Sequence, residues 1–190
     1  MINVDISPGV YDPAEDSHLL LEALKRVVRQ GDRVLEVGTG SGMIAIALAS
    51  MGAEVYASDH DMAACKCALA NSVKNDATIR VFRSDLFDGV RGTFDIIAFN
   101  PPYLPEEGNG ADHRAWTGGE RGCEVGLRFL TSAGEFFSKR GRGFIVFSSL
   151  GREGEIYRVL DAMYHWSEVA SARFDFETLH VAEFRRKESA

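Results

Sequence analysis

Four consecutive residues, Asn100-Pro101-Pro102-Tyr103, follow an apolar strand sequence and bring together an amide, two prolines and an aromatic ring. The two prolines remove backbone donors and stiffen the chain. The Asn100 side-chain oxygen and the Pro101 carbonyl can then accept both hydrogens of a planar NH₂ group, and Tyr103 can stack on its π face. Methylation of a weakly nucleophilic nitrogen needs this geometry, because orienting that nitrogen supplies most of the catalysis and carbonyl acceptors stabilise its developing positive charge. We predict that all four residues are catalytic.

A glycine-rich turn, Gly38-Thr39-Gly40-Ser41-Gly42, lies between a predicted strand and a predicted helix. Its spacing is G-x-G-x-G, whereas a dinucleotide-binding turn has the spacing G-x-G-x-x-G. Glu36 precedes the turn and would repel a pyrophosphate, but its carboxyl group suits a ligand that carries an amino group. We predict that Glu36, Gly38, Gly40 and Gly42 bind a cofactor of that kind.

Two further carboxylates follow predicted strands, where ligands bind in open α/β sheets. Asp59 is placed to accept both hydroxyls of a ribose, and Asp85 is placed to accept an adenine amine beside the Leu86 backbone. Together with the glycine turn, these residues resemble the S-adenosylmethionine site of the class I methyltransferase fold. The resemblance implies S-adenosylmethionine as the cofactor and S-adenosylhomocysteine as the product.

Strands that alternate with helices must bring these residues together. The strands are expected at Arg33–Val37, Glu54–Ser58, Thr78–Phe82, Phe94–Phe99, Phe144–Phe147, Val169–Phe176 and Leu179–Phe184. The helices are expected at Met43–Met51, Met62–Val73, Val125–Ser138 and Glu153–Tyr164, after a first helix that Asp12 caps and that ends at Gly31. The sequence predicts an α/β fold in one domain over residues 1–190. Its single, doubly wound sheet is mostly parallel and seven-stranded, with a C-terminal antiparallel hairpin.

The composition narrows the functional class. The net charge is −7, so a nucleic-acid partner, which needs a basic face, is disfavoured. Neither the three cysteines nor the five histidines have the spacing of a metal site. The first ten residues lack the features of a signal peptide, and no apolar stretch approaches the ~20 residues that span a bilayer. We therefore expect a cytoplasmic protein without a bound metal and without membrane contact.

The sequence resembles the HemK-like N(5)-glutamine methyltransferases, which modify the Gly-Gly-Gln loop of peptide-chain release factors. Segments 10–17, 116–122 and 177–179 are similar to motifs of the archaeal and eukaryotic branch, so the resemblance covers essentially the whole chain. It implies that Tyr11 and Ser17 contact the cofactor and that Trp116 contacts the substrate beside Asn100, Pro101 and Tyr103.

The same resemblance implies two partners. One is a release factor as the substrate, and the other is a small zinc-containing activator that would form a heterodimer by adding a strand at the sheet edge. In the class I strand order, the third strand, Thr78–Phe82, is that edge.

Two other functions are compatible with parts of the sequence. Asn-Pro-Pro-Tyr also occurs in methyltransferases that act on the exocyclic amine of adenine in RNA or DNA, but the charge of −7 fits such a substrate poorly. A non-catalytic subunit with a degenerate fold is disfavoured because the glycine turn, Asp59, Asp85 and Asn100 are all intact.

Overall fold

The computed structural model describes residues 2–104 and 119–187. Its seven strands are β1 (Arg33–Val37), β2 (Glu54–Asp59), β3 (Ile79–Arg83), β4 (Phe94–Phe99), β5 (Phe137–Ser148), β6 (Tyr164–Arg173) and β7 (Thr178–Arg186). Its five α-helices are α1 (Glu15–Lys25), α2 (Met43–Ser50), α3 (Met62–Lys74), α4 (Glu124–Ala133) and α5 (Glu153–Met163).

The strands form one sheet in the order β3-β2-β1-β4-β5-β7-β6. The first five are parallel to one another, β7 is antiparallel to β5, and β6 is antiparallel to β7. This confirms the predicted fold class, including the C-terminal hairpin. The strand order reverses between β1 and β4, and ligands of open α/β sheets bind in the crevice at such a point.

The central strands are apolar on both faces because helices cover both sides of the sheet. Val34 and Ile96 pack in a cluster with residues of α1 and α2. Their neighbours Leu35 and Ile97 point to the opposite face and pack with residues of α4 and α5. Both cores therefore hold β1 and β4 rigidly and fix the positions at which their carboxyl ends meet.

Several predicted boundaries are wrong, and the first of them is the end of α1, which lies at Lys25 and not at Gly31. Asp12 does not cap α1, which begins at Glu15 after Ala14 and has no side-chain cap. The predicted helix to Ser138 ends at Ala133, and β5 begins at Phe137 because its ring packs against Tyr164 and Phe184.

Strand β6 also begins earlier than predicted, at Tyr164 instead of Val169. Helical spacing in the sequence continues through Tyr164, but this ring packs against Phe184 in the adjacent strand. A tertiary contact therefore decides where α5 ends. Within the described part of the chain, no helix is long and apolar enough to cross a membrane.

Candidate active site

A cavity of about 1380 Å³ opens at the carboxyl ends of β1, β2 and β4. It is lined by the predicted site residues Tyr11, Ser17, Glu36, Gly38, Gly40, Asp59, Asp85, Leu86, Asn100, Pro101, Pro102 and Tyr103. Gly42 does not line the cavity, and Trp116 lies outside the described residues. Residues from distant parts of the sequence thus meet at the switch point of the sheet.

The three glycines of the turn have different surroundings, although all have a positive φ. A Cβ added at Gly38 would lie 2.8 Å from the Phe99 ring, and one at Gly42 would lie 2.9 Å from the Ala68 Cβ. A Cβ at Gly40 would meet only the Tyr11 carbonyl, at 4.0 Å. Gly38 and Gly42 therefore allow close packing, whereas Gly40 keeps its backbone open to the cavity.

Glu36 is a buried acid at the end of β1. Its Oε2 atom accepts hydrogen bonds from Thr39 Oγ1 at 2.7 Å and from the Ala45 backbone N–H at 3.0 Å. Burial raises the pKa of this carboxyl to about 8 despite both hydrogen bonds. Since a neighbouring positive charge favours the ionised form, an ammonium group bound here would draw a proton off Glu36 near neutral pH.

Asp59, at the end of β2, is buried and already takes part in backbone hydrogen bonds. One carboxylate oxygen accepts the Gly40 N–H at 3.0 Å and the other accepts the Asp61 N–H at 2.9 Å. These bonds hold the carboxylate against the glycine turn. His60 lies 3.3 Å from Asp59, and this contact raises the pKa of the exposed imidazole.

Asp85 and Leu86 form the outer wall of the cavity. Asp85 is more than half exposed and pairs with Arg128 of α4 at 2.9 Å. Leu86 has a φ of 46°, which lies in the left-handed region that non-glycine residues rarely adopt. Sequence analysis missed Arg128, because its ion pair with Asp85 forms only when α4 packs beside the residues that follow β3.

Asn100 carries the most unusual polar atom of the site. Its Oδ1 is buried and has no hydrogen-bond partner among the described residues. Its Nδ2 donates to Ser17 Oγ at 3.4 Å. Because an unpaired buried acceptor costs about 1–3 kcal/mol, such an atom in a cavity indicates a position where a ligand donates a hydrogen bond.

Asp16 is another site residue that our sequence analysis missed. It is buried in the first turn of α1 and accepts hydrogen bonds from the hydroxyls of Tyr11, Ser17 and Tyr103. Burial and the nearby Asp16 charge raise the pKa of both tyrosines well above its usual value. An acidic residue on the apolar side of α1 is a signal that could have identified it.

The cavity wall is strongly acidic, with seven carboxyl side chains against two arginines, Arg83 and Arg128. The seven acids are Asp12, Asp16, Glu36, Asp59, Asp61, Asp85 and Asp88. Such a lining favours a cationic ligand and repels a polyanion. Within residues 2–104 and 119–187, no group of three or more His, Cys, Asp or Glu side chains is arranged to hold a metal ion.

Known proteins are similar to this chain in sequence and in fold. Residues 4–177 match the family model described as the methyltransferase small domain. The chain is 39% identical to "Putative protein N5-glutamine methyltransferase MJ0928" of Methanocaldococcus jannaschii, over 95% of this chain and 93% of that protein. It is 33% identical to methyltransferase HEMK2 of Homo sapiens, over 93% of this chain and 90% of that protein.

Among solved structures, the protein superposes on one chain of the E. cuniculi Mtq2–Trm112 complex, which is responsible for the methylation of the translation termination factor eRF1. The TM-score is 0.76, the identity is 23%, and the match covers 94% of this chain and 99% of the other. At that identity the likeness shows the fold alone.

Proposed function

This chain belongs to the methyltransferase small domain family, and from that membership we propose that it methylates the side-chain amide of a glutamine in the Gly-Gly-Gln loop of a peptide-chain release factor. It is an S-adenosylmethionine-dependent N-methyltransferase. We also propose that residues 1–190 form one catalytic domain and that the protein acts in the cytoplasm.

The inner half of the cavity fits the cofactor. Glu36 would bind its amino group, the open backbone at Gly40 would accommodate its chain, and Asp59 would accept hydrogen bonds from the ribose hydroxyls. Asp85 and the Leu86 backbone, at the outer wall, would bind the adenine. Tyr11 and Ser17, from the segment before β1, would also contact the cofactor. The acidic lining supports this placement because the ligand carries both a sulfonium and an ammonium charge.

The observation that carries the proposal is the unpartnered, buried Oδ1 of Asn100. This acceptor and the Pro101 carbonyl would each take one N–H of a planar amide, and the Tyr103 ring would cover its face. Both donors of the amide are then satisfied, which fixes the direction of the nitrogen. The site therefore suits an NH₂ group better than a hydroxyl or an ammonium group.

S-Adenosylmethionine supplies an electrophilic methyl group on sulfur. Asn100 and Pro101 would hold the substrate nitrogen in line with that methyl, the orientation that direct transfer from sulfur to nitrogen requires. The nitrogen becomes positive during transfer, and both carbonyl acceptors stabilise that charge. One N–H proton then leaves to water, because it becomes acidic only after transfer. No general base is required beforehand.

The rim beside Tyr103 favours a protein over a nucleic acid. Leu104, which follows Tyr103, is exposed, as are Leu150 and Phe176, the last by 90%. Gly151 follows Leu150, and a Cβ there would lie 3.1 Å from the Tyr103 carbonyl. Glu177 follows Phe176 and accepts a hydrogen bond from Ser148. Exposed apolar groups suit the backbone and side chains of a protein loop.

The opposite edge of the sheet suits an activator subunit. Strand β3 is an edge strand, and Met62, Leu69 and Val73 are exposed in one stripe along the adjacent α3. An open strand beside an apolar stripe supports pairing with a partner strand. We propose a small, zinc-containing activator there. Leu69→Glu should prevent its co-purification and leave S-adenosylmethionine affinity unchanged, and intact co-purification would refute this surface.

The function is tested by transfer of labelled methyl groups from S-adenosylmethionine. We expect label in the release factor, with its activator added, and none in a Gln→Ala release factor. The rate should fall only modestly from about 50 to about 200 mM salt. Methylation of protein-free RNA with a ~10³-fold or greater loss of affinity over that range, and none of the release factor, would identify an adenine methyltransferase instead.

A further inference from the structure

Asp16 connects the two halves of the cavity through one carboxylate. Tyr11 donates to it from the segment before α1, at 2.8 Å, and Tyr103 donates from the segment after β4, at 3.0 Å. The neighbouring Ser17 donates both its backbone N–H and its hydroxyl, the latter at 3.1 Å. These donors surround a side chain that is only 3% exposed. Four donor groups therefore converge on a side chain that presents only acceptors.

This arrangement fixes the direction of the Ser17 hydroxyl. A serine hydroxyl has one proton to donate and two lone pairs that accept. Since a carboxylate cannot donate, the Ser17 proton must point to Asp16. The Ser17 oxygen can then only accept from its other neighbour, which is Asn100 at 3.4 Å. The Asn100 group beside Ser17 must accordingly be the donor, Nδ2.

We propose that Asp16 is a positioning residue that sets the orientation of the Asn100 amide through Ser17. This relay, from Asp16 through Ser17 to Asn100, engages Nδ2 and leaves Oδ1, the acceptor, without a protein partner and available to the substrate. An inverted Asn100 would present an N–H to the substrate N–H and would repel it. This inference rests on the proposed function, because only a substrate that donates hydrogen bonds needs Oδ1 at this position.

The test compares Asp16→Leu with two variants at Ser17. The introduced leucine has a size similar to aspartate but can neither accept nor donate a hydrogen bond, which frees the Ser17 hydroxyl proton to point at Asn100. We expect kcat to fall about ten-fold or more, with the Kd for S-adenosylmethionine within about five-fold of wild type. Ser17→Ala should lower kcat similarly, and Ser17→Thr, which keeps the hydroxyl, should restore it to within about two-fold.

The relay also predicts that the two losses are not independent. In the Ser17→Ala background no hydroxyl is left to redirect, so adding Asp16→Leu should cost less than about three-fold more. Losses that multiply would show that Asp16 acts on its own, and a wild-type kcat in Asp16→Leu would equally overturn the proposal.

Hydrogen exchange of the Asn100 side-chain NH₂, followed by NMR on the intact protein, reads the orientation without any turnover. The amide protons should exchange slowly in wild type and in Ser17→Thr, and about ten-fold or more faster in Asp16→Leu. Equal exchange in wild type and Asp16→Leu would refute the relay. If the exchange pattern holds but wild type does not methylate the release factor, the proposed substrate is wrong and the relay stands. If release-factor methylation is the same in Asp16→Leu as in wild type, the relay fails and the function stands.

Discussion

The inner and outer ends of the cavity differ in how their polar groups are satisfied. At the inner end, Glu36 and Asp59 already accept hydrogen bonds from the glycine turn and the start of α2. At the Asn-Pro-Pro-Tyr end, Asn100 Oδ1 is buried without a partner in the described structure. From this difference and the proposed function we infer that the inner end is ordered before the cofactor binds and sets its affinity, whereas Asn100 gains a hydrogen-bond partner only from the substrate and sets the rate.

Asn100→Ala gives the largest effect expected from this difference. It removes an acceptor used chiefly in the transition state, so kcat should fall about 10²-fold or more. The Kd for S-adenosylmethionine should stay within a few-fold of wild type. Asn75→Ala, which removes a side-chain amide at the end of α3, is the matched control and should retain wild-type kcat. A wild-type kcat in Asn100→Ala would make Asn100 a structural residue.

Asp59→Ala should produce the reverse pattern. Loss of hydrogen bonds to a charged group weakens binding by about 1.5–3 kcal/mol, or about 10- to 150-fold in Kd. At saturating cofactor the rate of methyl transfer should change little. Calorimetry gives the affinity, and Asp32→Ala, in the turn before β1, controls for the loss of one surface carboxylate. Unchanged affinity in Asp59→Ala would contradict the assignment of this end of the cavity.

We expect Glu36 to make cofactor binding depend on pH. Its pKa of about 8 means that the free protein holds this carboxyl mostly protonated at about pH 6–7.5. Because the cofactor ammonium favours the ionised form, binding should release up to one proton. Affinity should thus rise by up to about ten-fold per pH unit over this range. Calorimetry in buffers of different ionisation enthalpy measures the proton release. Glu36→Gln should abolish it, and equal release in that variant would assign the proton to another group.

Phe176→Ala should have the smallest effect, because the residue lies on the rim and touches neither reacting group. We expect the KM for the intact release factor to rise about three- to five-fold, with unchanged cofactor affinity. Met163→Ala removes a similarly apolar, exposed side chain at the far end of α5 and should leave KM unchanged. Equal KM values in both variants would remove the rim from the substrate surface.

The glycine turn, Asp59 and Asn-Pro-Pro-Tyr could be located from sequence because each adjoins a short strand whose apolar run is unambiguous. The placement of Tyr11, Ser17 and Gly40 around one cavity agrees with the motifs that suggested them. Asp16 could be noticed in the sequence as an acid on the apolar side of α1, but its role could not be assigned there, because that role arises from contacts with residues 11 and 103. The wrong boundary of β5 has a similar origin, since Gly141 and Gly143 look like a loop until Phe137 and Phe184 pack against them.

The most direct test of the account is the location of the transferred methyl group. Release factor methylated by the wild-type enzyme and its activator is digested and sequenced by tandem mass spectrometry. The account predicts N5-methylglutamine at the Gly-Gly-Gln glutamine, with Asn100→Ala forming it about 10²-fold more slowly. Methylation at a lysine, at a backbone amide or at any other glutamine would contradict the assignment of Asn100 and Pro101 as acceptors for that one side-chain amide.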